Sequence, residues 1–175
     1  KYTTNDGITG VGYCINWGLA LSSKSLEITG RYTASPKTLG AFANGYPQRS
    51  LSDFLELYGN RYPALSGLTE EEFLYATQVA IWATLGQLGV EGTSFTAGRA
   101  TIANPVGGTA QQIRVYTTIT VILSLADGWT KPLYTGMYVS SNEDTLDNAV
   151  ELPYDMSLQN AADAGEYGIE IATIG

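Results

Sequence analysis

The sequence predicts an α+β fold, in which a β-rich subdomain, either a sandwich or a barrel, contains an inserted helical subdomain. Runs of β-branched and aromatic residues occupy both ends of the chain, whereas the middle places apolar residues at helical spacing behind strong helix caps. Strands and helices that are segregated in this way are typical of α+β proteins. The 175 residues fit one domain, 1–175, with β-rich parts at about 1–45 and 129–175 and a helical middle at about 46–128.

Four strands are predicted in the two β-rich parts. Residues 11–17 form an apolar and aromatic run, and residues 26–33 alternate between apolar and polar side chains. Residues 36–48 are predicted to be a loop that leads into the helices. The remaining two strands are predicted near the C-terminus, at residues 133–140 and 167–174.

A first helix is predicted at residues 50–62. Its apolar residues lie three or four positions apart, Ser50 can cap its N-terminus, and Pro63 ends it. Between residues 92 and 108 the chain is rich in Gly and Thr, and we expect a loop that contains one short strand.

The clearest helix is predicted at residues 68–88. Thr69 and Glu72 can form a capping box, in which each side chain bonds the backbone amide of the other. One apolar stripe runs along this helix, and Gln78 lies within the stripe. Gly89 is the predicted stop.

Residues 109–126 fit two patterns, an alternating strand and a helical stripe. A strand of this length would be unusual. Thr109 and Gln112 offer a second capping box, and Gly128 offers a stop. We therefore predict a helix, although β-branched residues are frequent in the segment.

The composition excludes several classes of function. Nine Lys and Arg stand against 17 Asp and Glu, which gives a net charge of −8 and no basic surface for nucleic acid. One Cys excludes an internal disulfide and a Cys-based metal cage, and the absence of His removes the commonest metal ligand and general base. No metal and no cofactor are predicted. No apolar run is long enough to span a bilayer.

Two residues differ from their surroundings. Cys14 is the only thiol and lies in an apolar strand, and Gln78 is an amide on an apolar helix face. Taken singly, each fits a structural role, as a small buried side chain or as a hydrogen-bonded amide. Taken together, they can react: the thiol adds to the carboxamide carbon, ammonia leaves, and an internal thioester results. Such a bond stores an activated acyl group that an amine can attack, and it requires no His.

The segments around these two residues resemble the thioester domains of Gram-positive surface adhesins, a family also named for its TQxA signature. Tyr13 and Cys14 provide a first match, and the segment TQVAIW, from Thr77 to Trp82, provides a more specific one. The order of the segments and the 64 positions from Cys14 to Gln78 also suit the family. The resemblance extends from Cys14 through the helical middle.

The resemblance implies a role for five residues. Cys14 would supply the thiol and Gln78 the acyl group of a bond at the junction of the two subdomains. Thr77 would lie beside the bond, and Trp82 and Tyr13 would pack against it or shield it. For the two aromatic residues, ordinary core packing is the alternative.

The resemblance also implies a function. The domain would be a surface adhesin module and virulence determinant that captures an amine, such as a lysine of a host surface or matrix protein, through an isopeptide-type cross-link. It would act as a single-turnover acyl donor rather than as an enzyme. Further domains of a cell-wall-anchored protein are expected beside it, and the domain itself would not insert into a membrane. The chain opens on Lys1 without a visible signal peptide, so a signal peptide and an anchor are expected outside it.

Two other functions stay open on the sequence. One is a non-covalent adhesin domain that binds protein or glycan through Tyr-rich loops, with the cross-link absent or only structural. The other is a Cys-dependent enzyme such as a transamidase, which needs an activating base beside Cys14. The absence of His weighs against that enzyme.

Overall fold

A computed structural model describes residues 2–3, 9–14, 17, 30–33, 35–129, 135–136, 138–140, 149–151 and 171–173. The chain divides into two compact units. We name residues 1–39 with 130–175 the terminal unit, and residues 40–129 the helical unit. The described residues form both helices and strands, as expected for a mixed fold. The β-sandwich or barrel, the inserted helical subdomain and the domain boundaries stay predictions.

The described part of the terminal unit consists mainly of short strands. These are β1 (Tyr2–Thr3), β2 (Thr9–Gly10), β3 (Tyr13–Cys14), β4 (Gly30–Thr33), β7 (Thr135–Gly136), β8 (Tyr138–Ser140), β9 (Ala149–Glu151) and β10 (Ile171–Thr173). β1 pairs with β2, β4 lies between β10 and β7, and β9 lies between β3 and β8. All of these pairs are antiparallel.

Strand structure is confirmed within each predicted strand segment. In the first segment, β3 is the strand among the described residues; Val11 and Gly12 before it are not in a strand, and Trp17 lies in a turn. β4 falls within residues 26–33, β7 and β8 within 133–140, and β10 within 167–174. The remaining positions of these segments lie outside the described residues.

Helices dominate residues 36–129. They are α1 (Pro36–Asn44), α2 (Leu51–Tyr58), α3 (Glu70–Thr84) and α4 (Ala110–Asp127), with a 3-10 turn at Pro63–Leu65. Two short strands, β5 (Leu88–Val90) and β6 (Ala100–Ile102), pair in parallel. β6 confirms the short strand expected between residues 92 and 108.

The core of the helical unit forms where α3 packs against α4. Phe73 and Ala80 of α3 and Ile122 of α4 have no exposed surface. The Phe54 ring from α2 lies 4.5 Å, centroid to centroid, from the Phe73 ring. α3 is therefore held on its buried side by both neighbouring helices.

The prediction of a loop at residues 36–48 is wrong for its first nine residues, which form α1. Pro36 occupies the first helical position, where its missing amide hydrogen costs nothing. Ser35 Oγ accepts a hydrogen bond from the amide three residues later at 3.2 Å, as a helix cap does. Leu39 and Phe42 are completely buried, so apolar burial stabilises a helix that composition alone does not suggest.

Gly40 is one reason why the composition of residues 36–48 suggested a loop instead of a helix. A Cβ at this position would lie 2.7 Å from Trp129 Cβ and 3.0 Å from Ala126 Cα. Glycine disfavours helices intrinsically, but at Gly40 it allows α1 to approach the end of α4 closely.

α2 and α3 begin as predicted but each ends four residues earlier, at Tyr58 and Thr84. In α3 the physical reason is Gly86, which has a φ of +72° directly after the C-cap Leu85. A glycine in this left-handed conformation ends a helix. The chain then turns, and Leu88 begins β5 instead of continuing α3.

The helix predicted at residues 109–126 is confirmed as α4. The Gln112 amide donates to Thr109 Oγ1 at 3.1 Å, and the Thr109 amide donates to Gln112 Oε1 at 2.9 Å. Gly128 caps the C-terminus. The two caps, rather than β-branched propensity, therefore identify this element correctly.

Candidate functional site

Cys14, the predicted thiol, is the second residue of β3. Its Cα lies opposite Val150 of β9, and the preceding residue, Tyr13, lies opposite Glu151. The Tyr13 side chain is buried, with 1% of its surface exposed. Its burial agrees with both roles considered for it, shielding and core packing.

Gln78, the predicted acyl donor, lies in the middle of α3 and is partly buried. It lies one turn after Leu74 and one turn before Trp82, and both of these side chains are also partly exposed. Neighbouring positions such as Thr77 and Val79 are fully or almost fully buried. The Gln78 side chain therefore lies at the margin of the core, not at its centre.

Thr77 fixes α3 beside Gln78. Its side chain has no exposed surface, and Oγ1 donates to the Phe73 carbonyl at 2.8 Å. The same oxygen accepts a hydrogen bond from the Tyr46 amide at 3.0 Å. A Cβ at Gly45 would clash with the Thr77 methyl group and lie 2.6 Å from Oγ1. The turn at residues 45–46 is thus anchored to α3 one residue before Gln78.

Trp82 occupies the same helix face as Gln78, one turn later. Its side chain is partly exposed, but its Nε1 atom is buried and has no hydrogen-bond acceptor among the described residues. A buried indole N–H usually has a partner, so the Trp82 donor, near the C-terminal end of α3, is unusual in having no acceptor in the described part of the chain.

The structure thus brings three of the five predicted site residues together on α3, and the other two together on β3. Thr77, Gln78 and Trp82 share two turns of α3, and Tyr13 and Cys14 are consecutive in β3. The two groups belong to different units, and the Cys14–Gln78 bond stays a prediction.

Glu72 joins the start of α3 to α4. Arg114 donates to both of its carboxylate oxygens, from Nε to Oε2 at 2.8 Å and from Nη2 to Oε1 at 2.6 Å. The Thr69 amide and the Gln111 side chain each donate one further hydrogen bond, both at 3.1 Å. The sequence indicated the capping box but not the bond with Arg114, which lies 42 positions away.

The ion pair strongly favours the charged form of Glu72. Hydrogen bonding to Arg114 is the largest cause that lowers the pKa of Glu72, to about 2. The same hydrogen bonds raise the pKa of Arg114. Burial raises the pKa of Tyr116, helped by the nearby negative charge of Glu91, while the Tyr116 hydroxyl donates to the Glu91 carbonyl at 2.6 Å.

An open groove of about 590 Å³ lies in the helical unit, between α3, α4 and the segment after β6. Glu71 and Tyr75 line it from α3, Val115 and Ile119 from α4, and Ile102 and Pro105 from the third side. Sequence reasoning missed this groove, because the α3 residues that line it are distant in the chain from the other two segments.

Two further kinds of site were sought in the part of the chain that the structure describes. No cluster of Cys, Asp and Glu side chains there has the geometry to hold a metal ion. No helix among those residues is both long enough and apolar enough to cross a membrane.

The solved structures that are similar to this chain include two that are named as TIE proteins. One is a structure of the Bacillus anthracis TIE protein, with 22% identity and a TM-score of 0.46, covering 74% of this chain and 19% of that one. The other is the thioester domain of the Enterococcus faecium TIE86 protein, with 14% identity and a TM-score of 0.47, covering 86% of this chain and 64% of that one. The chain thus spans about a fifth of the first and less than two thirds of the second. No curated protein sequence gives a significant match.

A comparison with protein-family models also gives a match. Residues 11–120 match the model described as the thioester domain. The match covers more than half of the 175 residues and includes Cys14, Thr77, Gln78 and Trp82. The resemblance predicted from the two short motifs is therefore confirmed, and the chain belongs to the thioester domain family.

Proposed function

We propose that this domain is a covalent adhesin module in which an internal Cys14–Gln78 thioester captures an amine of a host protein. The observation that carries the proposal is the family match, which includes the only Cys of the chain and the TQVAIW segment. In the proposed architecture, a β-sandwich or barrel carries Cys14 and an inserted helical subdomain carries Gln78.

The proposed chemistry has two balanced steps. In the first, Cys14 Sγ bonds to Gln78 Cδ, the thiol proton passes to the amide nitrogen, the bond from Cδ to that nitrogen breaks, and ammonia leaves. In the second, the amine nitrogen bonds to Cδ, the C–S bond breaks, and the thiolate takes up the proton that the amine releases. The product is an amide between Gln78 and the captured molecule, with the Cys14 thiol restored. Because the acyl group is consumed, each domain reacts once, as an acyl donor rather than as an enzyme.

The proposed setting is the surface of a Gram-positive bacterium. A cell-wall anchor, a signal peptide and further domains would belong to the same protein, and the captured partner would be a host surface or matrix protein that presents a lysine. The acidic chain, with a net charge of −8, suits an encounter with such a cationic side chain.

Intact mass spectrometry tests the proposal. Freshly purified protein should be lighter than its sequence mass by one ammonia, and methylamine should add to Gln78 while it frees one thiol. Cys14→Ala and Gln78→Ala should restore the sequence mass and abolish the adduct, whereas the control Gln87→Ala should behave like the parent. A full sequence mass in fresh protein, with no methylamine adduct, would refute the thioester.

A non-covalent binding domain is the second candidate, and the groove with its exposed Tyr75 favours it. The two candidates differ in the fate of their complexes. Covalent complexes withstand boiling in detergent, whereas non-covalent complexes dissociate. Repeated turnover of a small acyl substrate would instead indicate a Cys-dependent transamidase.

A further inference from the structure

One face of α3 connects the groove to Gln78. Glu71, Tyr75, Gln78 and Trp82 follow each other at intervals of four, three and four positions, which places them on the same side of the helix. Glu71 and Tyr75 line the groove. Gln78 follows Tyr75 after about 4.5 Å along the helix axis. A molecule that occupies the groove and continues along α3 therefore meets Gln78.

The walls of the groove suit a peptide. Val115, Ile119 and Ile102 provide aliphatic surface, and Tyr75, which is 55% exposed, adds an aromatic ring. Exposed tyrosine beside aliphatic side chains is typical of surfaces that bind protein segments. The groove volume of about 590 Å³ lies within the range of pockets that bind ligands.

The charge of the groove favours a cationic occupant. Its charged lining residues are Glu71 and Glu72. Arg114 already neutralises Glu72, whereas Glu71 is exposed and has no ion-pair partner among the described residues. The helical unit as a whole contains seven Asp and Glu against four Arg, so an anionic segment would be repelled.

We propose that the groove is the docking surface for an extended segment of the host protein, in which one cationic side chain pairs with Glu71 and a nearby lysine reaches Gln78. The inference rests on the proposed function, because the lysine attacks the acyl group of Gln78. Glu71 and Gln78 are seven positions apart, about 10.5 Å along the axis of α3. An extended chain advances about 3.3 Å per residue, so the cation lies about three residues from the attacking lysine.

The test uses synthetic peptides with blocked ends, a Gly/Ser background, one lysine, and one arginine placed one to six residues from it on either side. An arginine-free peptide and methylamine serve as reference nucleophiles, and intact mass gives each rate of adduct formation. We expect the arginine peptides with spacings of two to four residues to react several-fold faster than the arginine-free peptide.

Glu71→Gln is the decisive variant, and Glu56→Gln, an exposed change on α2 outside the groove, is its matched control. In Glu71→Gln the preference for arginine should disappear, whereas in Glu56→Gln it should persist. Tyr75→Ala should lower the ratio of the peptide rate to the methylamine rate for every peptide. An unchanged arginine preference in Glu71→Gln, or a uniform loss that includes methylamine, would overturn the inference.

A second measurement separates this inference from the proposed function. Cys14→Ala cannot form the thioester but keeps the groove, so non-covalent binding of the same peptides can be followed by NMR shifts of Tyr75 and Gln111. Arginine-dependent shifts that are absent in Cys14→Ala/Glu71→Gln support the groove even if no thioester forms. If the thioester forms normally but the rates do not depend on arginine and the NMR signals do not shift, the docking inference is refuted and the proposed thioester function is not.

Discussion

Thr77 illustrates what a single side chain contributes at the candidate site. Its hydroxyl group donates to α3 and accepts from the turn at residues 45–46, so one buried oxygen joins two segments. From the sequence, Thr77 could be predicted as a site residue only because it belongs to the TQVAIW motif. Its partner, the Tyr46 amide, lies 31 positions away, and no local pattern indicates such a contact.

The first prediction concerns this oxygen. Thr77→Val keeps the shape of the side chain but leaves the partly buried Tyr46 amide without its acceptor, which should lower the free energy of unfolding by about 1–3 kcal/mol. Thr77→Ser keeps the hydroxyl group and should lose about 1 kcal/mol for the missing methyl group. Urea denaturation of both variants measures the difference.

Thr118→Val is the matched control for Thr77→Val. Thr118 is equally buried, and its hydroxyl group donates to the Arg114 carbonyl at 2.8 Å, but it accepts no amide hydrogen bond from another of the described segments. If Thr77→Val costs no more than Thr118→Val, the bond to Tyr46 does not contribute to stability.

At the level of whole elements, helix caps proved more informative than composition. The capping boxes at Thr69 and Thr109 marked the starts of α3 and α4, because side-chain bonds to free helix amides are local and leave a local pattern. The loop predicted over α1 was wrong because Gly40 weakens the helical pattern while packing on α4 favours it. Tertiary contacts of this kind are not visible in a local window of sequence.

The second prediction concerns the connection between α3 and α4. Glu72 has a pKa of about 2 in the folded chain against an ordinary value of 4.5, so its ionised form stabilises the fold. That stabilisation is complete above about pH 4.5 and is lost as the pH falls toward about 2. Glu72→Gln should therefore lower the melting temperature by several degrees at pH 7, with a smaller deficit at low pH.

Thermal melts from pH 7 to pH 2 measure this effect. Glu71→Gln is the matched control, since it removes a carboxylate from the same helical turn without breaking the bonds to Arg114. Equal acid profiles for the parent and Glu72→Gln would contradict the prediction.

At the scale of the whole chain, the partners of the strands could not be predicted from the sequence. β4 pairs with strands that follow it by more than 100 positions, at residues 135–136 and 171–173. Alternating side chains indicate that a segment is a strand, but they do not specify its partner or register. The family motifs, in contrast, are local in sequence and identified Cys14 and Gln78 as candidates within residues 11–120.

The third prediction follows from the 64 positions between these two residues. If they are linked, the bond restricts the unfolded chain and should contribute ~4 kcal/mol to stability, less any strain. Methylamine opens the link without changing the sequence, so the treated protein should unfold at a lower urea concentration. Cys14→Ala with and without methylamine is the control, and identical unfolding of treated and untreated parent protein would contradict the prediction.

Under the proposed chemistry, the hydrogen bonds around α3 would also bear a mechanical load. A captured host protein under flow would pull on Gln78, and the load would enter the middle of α3 instead of a fraying end. One residue away, Thr77 anchors the helix to the turn at residues 45–46, and less than two turns away Glu72 clamps it to Arg114. The load would thus be shared by several hydrogen bonds across two neighbouring segments, which resist shear together rather than opening one by one.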